Sequence, residues 1–218
     1  MIRILLLLLL LAQPALAQDP TPLRRVHPDP PLAIRAERGL DGIVDEILRL
    51  WPESSRDVAE GLALDDPAPV EIGVLTSDTW KRWARGLLPE WGVGFANWPA
   101  GPIAIDAGRA VRDPVRFPGI LKHEISHVYL GQRLNGHRPP TWFVEGVAQV
   151  QAGEWNFNDT IGLVQVASVS ALPPLSLLHA RFPTGGRAAE LSYRVSRQAV
   201  GEIDRIGRDN GGWRAMLD

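Results

Sequence analysis

The residues best equipped for chemistry are His123-Glu124-Ile125-Ser126-His127, followed by Trp142-Phe143-Val144-Glu145-Gly146-Val147-Ala148-Gln149. On a helix, residues four apart share a face. His123 and His127 can therefore turn two imidazoles toward one cation, with Glu124 beside them at the rim. Neutral imidazoles suit zinc, and a catalytic zinc site adds a third protein ligand while a fourth position stays open to water and substrate. Glu145 is the candidate for that third ligand. Its neighbours Trp142, Phe143, Val144, Val147, Ala148 and Val150 are apolar on nearly every side, and a carboxylate in such a segment is costly to bury unless something pairs with it. A zinc ion would do so.

His137 also follows the histidine pair. The HExxHxxGxxH spacing that would make a third histidine a ligand fails, because Leu130 and Arg133 occupy the required Gly and His positions. The only methionines are Met1 and Met216, so a Met-turn is absent too. His137 is read as a loop residue. His27 and His179 are isolated and read as surface or packing residues.

The elements that must position these groups follow from periodicity and punctuation. Asp113-Pro114 and Pro118 suit a first helical turn, so the histidine helix starts between them and runs to about Leu130. Gly131 or Asn135-Gly136 ends it. Pro139-Pro140 reset the chain, and Thr141 can cap a second helix to about Ala152, stopped by Gly153. Upstream, the i, i+3, i+4 spacing of Leu40, Ile43, Val44, Ile47, Leu50 and Trp51 predicts a helix over Ala36 to Trp51, ended by Pro52. Val70 to Leu75 reads as a strand leading through Thr76-Ser77-Asp78 into a helix to about Leu87. Val93 to Ala96 and Ile103 to Ile105 read as two short strands joined by a turn. Glu190 to Ile206 predicts a late helix with Leu191, Val195, Ala199, Ile203 and Ile206 on its apolar face, and Gly211-Gly212 separate it from a last piece. The fold class is α+β, one domain with a small mixed or antiparallel sheet and a mainly helical C-terminal part.

The chain has 218 residues, and its start reads as a removable export signal: Arg3, an apolar run from Ile4 to Leu11, then Ala15-Leu16-Ala17 before Gln18. The expected organisation is 1–17 signal peptide, 18–35 proline-rich leader and 36–218 a single domain, with a periplasmic or secreted location and no transmembrane segment after cleavage. There is no cysteine, so neither disulfides nor a lipid-modified cysteine contribute. With 23 basic against 25 acidic side chains and no long block of either sign, nucleic acid is not an expected partner.

The segments His123-Glu124-Ile125-Ser126-His127-Val128 and Pro140-Thr141-Trp142-Phe143-Val144-Glu145-Gly146-Val147-Ala148 together resemble the gluzincins, metallopeptidases whose third zinc ligand is a glutamate on the following helix. Within that group the closest likeness is to the bacterial peptidase MA-like family, and it extends from about Val70 to the C-terminus. The resemblance implies a zincin-like domain and a peptidase with one zinc ion, held by His123, His127 and Glu145. Glu124 would act as general base on the attacking water and then pass the proton to the leaving amine. It further implies that Tyr193, at the start of the late helix, stabilises the oxyanion. One departure is Gln149, where thermolysin-like enzymes place an aspartate that orients a histidine. The expected partner is a peptide or protein substrate. The competing readings are a non-catalytic exported binding or scaffold protein with structural zinc, and a zinc carrier, which would call for more histidines near the site.

Overall fold

Three parallel strands form the middle of the sheet: β2 (Leu32–Ala36), β3 (Val70–Leu75) and β5 (Ile103–Asp106). The computed structural model describes residues 23–83, 92–153, 172–180, 182–183 and 186–218. β1 (Arg24–His27) pairs antiparallel with β2, and β4 (Gly94–Ala96) pairs antiparallel with β5, giving the order β1-β2-β3-β5-β4. The expected mixed sheet in an α+β domain is therefore present. The expected signal segment, the end of the helix after Val70–Leu75 and most of 154–183 lie outside the described residues.

Residues 24–35, expected to belong to the proline-rich leader, are extended but supply strands of the sheet, and Ala36, expected to open the first helix, closes β2. The prolines that argued against a strand lie beside the strands, at Pro28, Pro30 and Pro31, where no ladder N–H is needed. Leu32, Ile34 and Ala36 then alternate inward and are fully buried, and the Pro31 carbonyl accepts the Val70 N–H at 2.9 Å. His27 is tied to this corner by a 2.8 Å contact between its Nδ1 and the Leu32 carbonyl oxygen.

Between β2 and β3 runs α1 (Asp41–Gly61), which continues through Pro52 rather than ending there. A proline inside a helix costs about 3 kcal/mol, whereas burying a Val or Leu side chain contributes about 1.5–3 kcal/mol. The buried face Ile43, Val44, Ile47 and Trp51 extends past the proline to Ser54, Val58 and Ala59, with Leu62 just beyond, so burial wins.

After β3 comes α2 (Ser77–Trp83), begun by Thr76, whose carbonyl accepts from Trp80 N at 2.9 Å and whose hydroxyl faces Thr79 N at 3.4 Å. Trp80, Trp83 and Phe95 pack with Leu75 and Ala104 on one face of the sheet. A short helix not expected from the sequence, α3 (Ala107–Arg112), follows β5 directly because Asp106 caps it, accepting from Arg109 N at 3.2 Å.

The opposite face carries the main core and the remaining long helices: α4 (Phe117–Arg133), α5 (Thr141–Ala152) and α7 (Gly186–Arg208). Two short helices accompany them, α6 (Leu175–Ala180) and α8 (Gly212–Leu217). α4 buries Phe117, Leu121, Ile125 and Val128 and is tied to α1 by the 2.7 Å Lys122–Asp57 pair. It ends at Arg133, with Leu134 as its C-cap and Asn135-Gly136 following at positive φ, and not at Gly131. Gly131 instead lies against the Pro99 backbone, where a Cβ would not fit.

Pro140, not Thr141, is the N-cap of α5; its carbonyl accepts from Phe143 N and Val144 N, and Thr141 is already the first helical residue. Gly153 closes α5 in the left-handed conformation, as expected. The late helix α7 is also present, but its most buried face is Ala189, Ser192, Ser196, Val200 and Gly207 rather than the larger apolar set. Backbone proximity explains the choice of small residues. A Cβ on Gly146 of α5 would lie 2.5 Å from both the Ser196 carbonyl oxygen and Val200 Cγ2. Ile206, expected on the apolar face, is half exposed.

One buried acid gives the fold a pH signature. Glu37, just past β2, accepts from Thr76 N at 2.5 Å and from the Thr79 hydroxyl at 2.6 Å. Burial pushes its carboxyl up, but these hydrogen bonds and the nearby Arg82 charge outweigh burial and hold it below the usual range. A carboxyl depressed in the folded state contributes stability above its unfolded value of about 4.3, and that stability is lost as pH falls through the folded value. Urea unfolding at pH 7 and at pH 3 should therefore show a smaller acid-induced loss in Glu37→Gln than in the parent chain. Equal losses would remove Glu37 from the account.

Candidate metal centre

The i, i+4 spacing puts His123 and His127 on one face of α4, their ring centroids 4.9 Å apart at 80°. α5 packs along α4 after the turn at 134–140 and brings Glu145 to the same place. The Glu145 Oε2 lies 3.5 Å from His123 Nε2 and 3.8 Å from His127 Nε2. One ligand atom from each residue can be chosen so that all three lie within 4.8 Å of one another. This is the arrangement expected of the three predicted ligands, and among the described residues it is the one cluster of this kind.

The donor set fits a zinc ion. Ligands about 2.0–2.2 Å from a tetrahedral zinc stand about 3.3–3.5 Å from each other, so the carboxylate-to-imidazole separations need to close by only a few tenths of an ångström. The side chains of His123, His127 and Glu145 are 15%, 13% and 18% exposed, sheltered but not sealed.

Glu145 is sheltered and has three basic side chains around it. Burial pushes its carboxyl up; the His127 charge, the hydrogen bond and charge of His123, and the charge of Arg138 outweigh burial and hold it below the usual range. Arg138 is exposed in the loop leading into α5, a cation near the site that the sequence did not single out.

Glu124 follows His123 on α4 and is 7% exposed. Its side chain lies against the backbone of β4: a Cβ built on Gly94 would be 2.6 Å from Glu124 Cγ and 2.7 Å from its Oε1. Among the described residues β4 is the end of the sheet order, paired with β5. The carboxylate thus sits between the histidine helix and an edge strand. The signal for this contact was an isolated glycine within a strand, which often marks close approach by another group.

Tyr193 lies in the second turn of α7, with its ring edge-on to Phe182 at 5.2 Å. Its carbonyl accepts from Gln149 Nε2 at 3.1 Å, and the same Nε2 is 3.2 Å from the Glu145 carbonyl oxygen. Gln149 thus ties the helix of Glu145 to the helix of Tyr193. His137 and His179 are exposed and belong to no three-ligand cluster among the described residues. Comparison of the chain with protein-family models, with curated proteins and with solved structures found no match.

Proposed function

We propose that this chain is an exported zinc-dependent peptidase of the gluzincin type, built on a zincin-like domain. The observation that carries the reading is the meeting of His123 and His127 from α4 with Glu145 from α5, with Glu124 one residue from His123 and against an edge strand. No helix among the described residues is long and apolar enough to cross a membrane.

His123, His127 and Glu145 would hold one zinc ion, which supplies Lewis acidity for a carbonyl oxygen and lowers the pKa of a water to about 7. Glu124 accepts the proton of the attacking water and returns it to the leaving amine, which needs a carboxylate held close to the cluster and shielded from bulk solvent. An extended peptide adding to β4 would run past that carboxylate, with backbone hydrogen bonds fixing its register. Tyr193 is the candidate donor to the oxyanion. Gln149 contributes by keeping α7 in register with α5.

The purified chain should carry about one zinc ion and cleave an unfolded protein, with new termini identified by mass spectrometry. Zinc bound at that stoichiometry with no cleavage of any peptide would favour the scaffold reading instead.

A further inference from the structure

Gly94 lies in the short edge strand β4, facing α4. Its neighbour Phe95 points to the other face of the sheet, against Trp83, while Ala96 packs with the main core, so residues 94 and 96 share the α4 side by strand alternation. The three atoms that a Cβ at position 94 would meet first all belong to Glu124, at 2.6, 2.7 and 2.8 Å. Such separations are too short to persist, so either the strand or the carboxylate must move.

The strand is held from several directions. Asp106 N donates to the Val93 carbonyl at 2.8 Å, and the Arg109 guanidinium donates to the Gly92 carbonyl at 2.8 Å. Arg109 is itself fixed by the fully buried Asp106, 3.3 Å from its Nε, and that carboxylate also accepts from the Ser77 hydroxyl at 2.6 Å. β4 retains its ladder with β5 across Gly94↔Ile105, Phe95↔Ala104 and Ala96↔Ile103. α4 is equally fixed, through Leu121, Ile125 and Val128 in the core. Moving the strand breaks several backbone hydrogen bonds, so the Glu124 side chain is the part that must give way.

We infer that Gly94 is a positioning residue for Glu124: the missing side chain at this one point of the edge strand leaves the space that the carboxylate occupies, one residue along α4 from His123 of the cluster. The role in turnover rests on the peptidase reading; the steric coupling between the two positions does not. Arg109 and Asp106 complete the device by keeping β4 from withdrawing.

The test is a double-mutant cycle on unfolding midpoints in urea, using Gly94→Ala, Glu124→Ala and the pair, together with kinetics of Gly94→Ala. Gly94→Ala alone should lower the midpoint, and the loss should vanish when Glu124→Ala has emptied the space. If Gly94→Ala alone fails to fold, the pair should fold. Additive losses, or a pair that also fails to fold, would overturn the inference. In the metal-loaded enzyme, Gly94→Ala should lower kcat by about 100-fold, the scale of a misplaced general base, with KM changed by no more than about threefold. Gly73→Ala is the control, because a Cβ there meets only ordinary contacts at 3.8 and 3.9 Å. It should leave kcat unchanged, and an equal fall in this control would also overturn the inference. A parent chain that cleaves no peptide sinks the peptidase reading, and the stability cycle then decides the Gly94–Glu124 coupling by itself.

Discussion

Glu124→Gln is expected to keep about one zinc ion per chain and to lower kcat for peptide hydrolysis by about 10²–10⁴-fold, the usual contribution of a positioned general base, with KM little changed. The substitution keeps shape, so the fit of the side chain against Gly94 survives. It leaves the three-residue cluster untouched, because Glu124 is not one of its members. What it removes is the ability to accept a proton. Metal analysis and steady-state kinetics on one preparation separate the two effects. Loss of metal would make Glu124 part of the binding set; hydrolysis within tenfold of the parent would rule it out as the base.

That expectation was readable from the order of residues alone, since a helical i, i+4 pair fixes its own geometry wherever the helix packs. Glu145 was legible for a different reason. It was the one carboxylate in a segment otherwise apolar on most sides, and the structure places it where two imidazoles meet it. The strands β3, β4 and β5 and the helices α4, α5 and α7 were legible because their punctuation is local. What escaped was decided by distant contacts. Pro52 looked like a helix end until Val58, Ala59 and Leu62 found a core to fill. The proline-flanked 24–35 segment looked like a leader because the strand that it pairs with, β3, begins 34 residues after β2 closes at Ala36, at Val70. The small-residue face of α7 was passed over for the larger apolar one, because nothing local to α7 announces that Gly146 of α5 must come within backbone distance. The Gly94–Glu124 contact likewise joins two positions 30 residues apart in the chain, and it is invisible to any periodicity.

The third ligand is the sharpest structural commitment, and a stability measurement separates it from its competitor. A metal that binds only the folded chain stabilises it by RT ln(1 + [L]/Kd), about 4 kcal/mol when zinc is at 1,000 times its Kd. For a domain of this size 1 kcal/mol moves the thermal midpoint by about 2–4 °C, so zinc should raise the parent's midpoint by about 8–16 °C over the chelator-treated chain. Glu145→Ala removes one of three donors and leaves the imidazoles alone to hold the ion; most of that increment should disappear, as it should in His123→Ala. His137→Ala should keep it in full, because His137 is exposed in the turn before α5 and outside the cluster. The chelator-treated Glu145→Ala chain should itself fold. Removing a partly buried carboxylate relieves its desolvation, and an imidazole that loses an acidic partner has a neutral form to adopt, so no unpaired buried charge is forced on the site. A zinc increment that survives in Glu145→Ala and vanishes in His137→Ala would transfer the third position to the loop histidine and break the link between α5 and the metal.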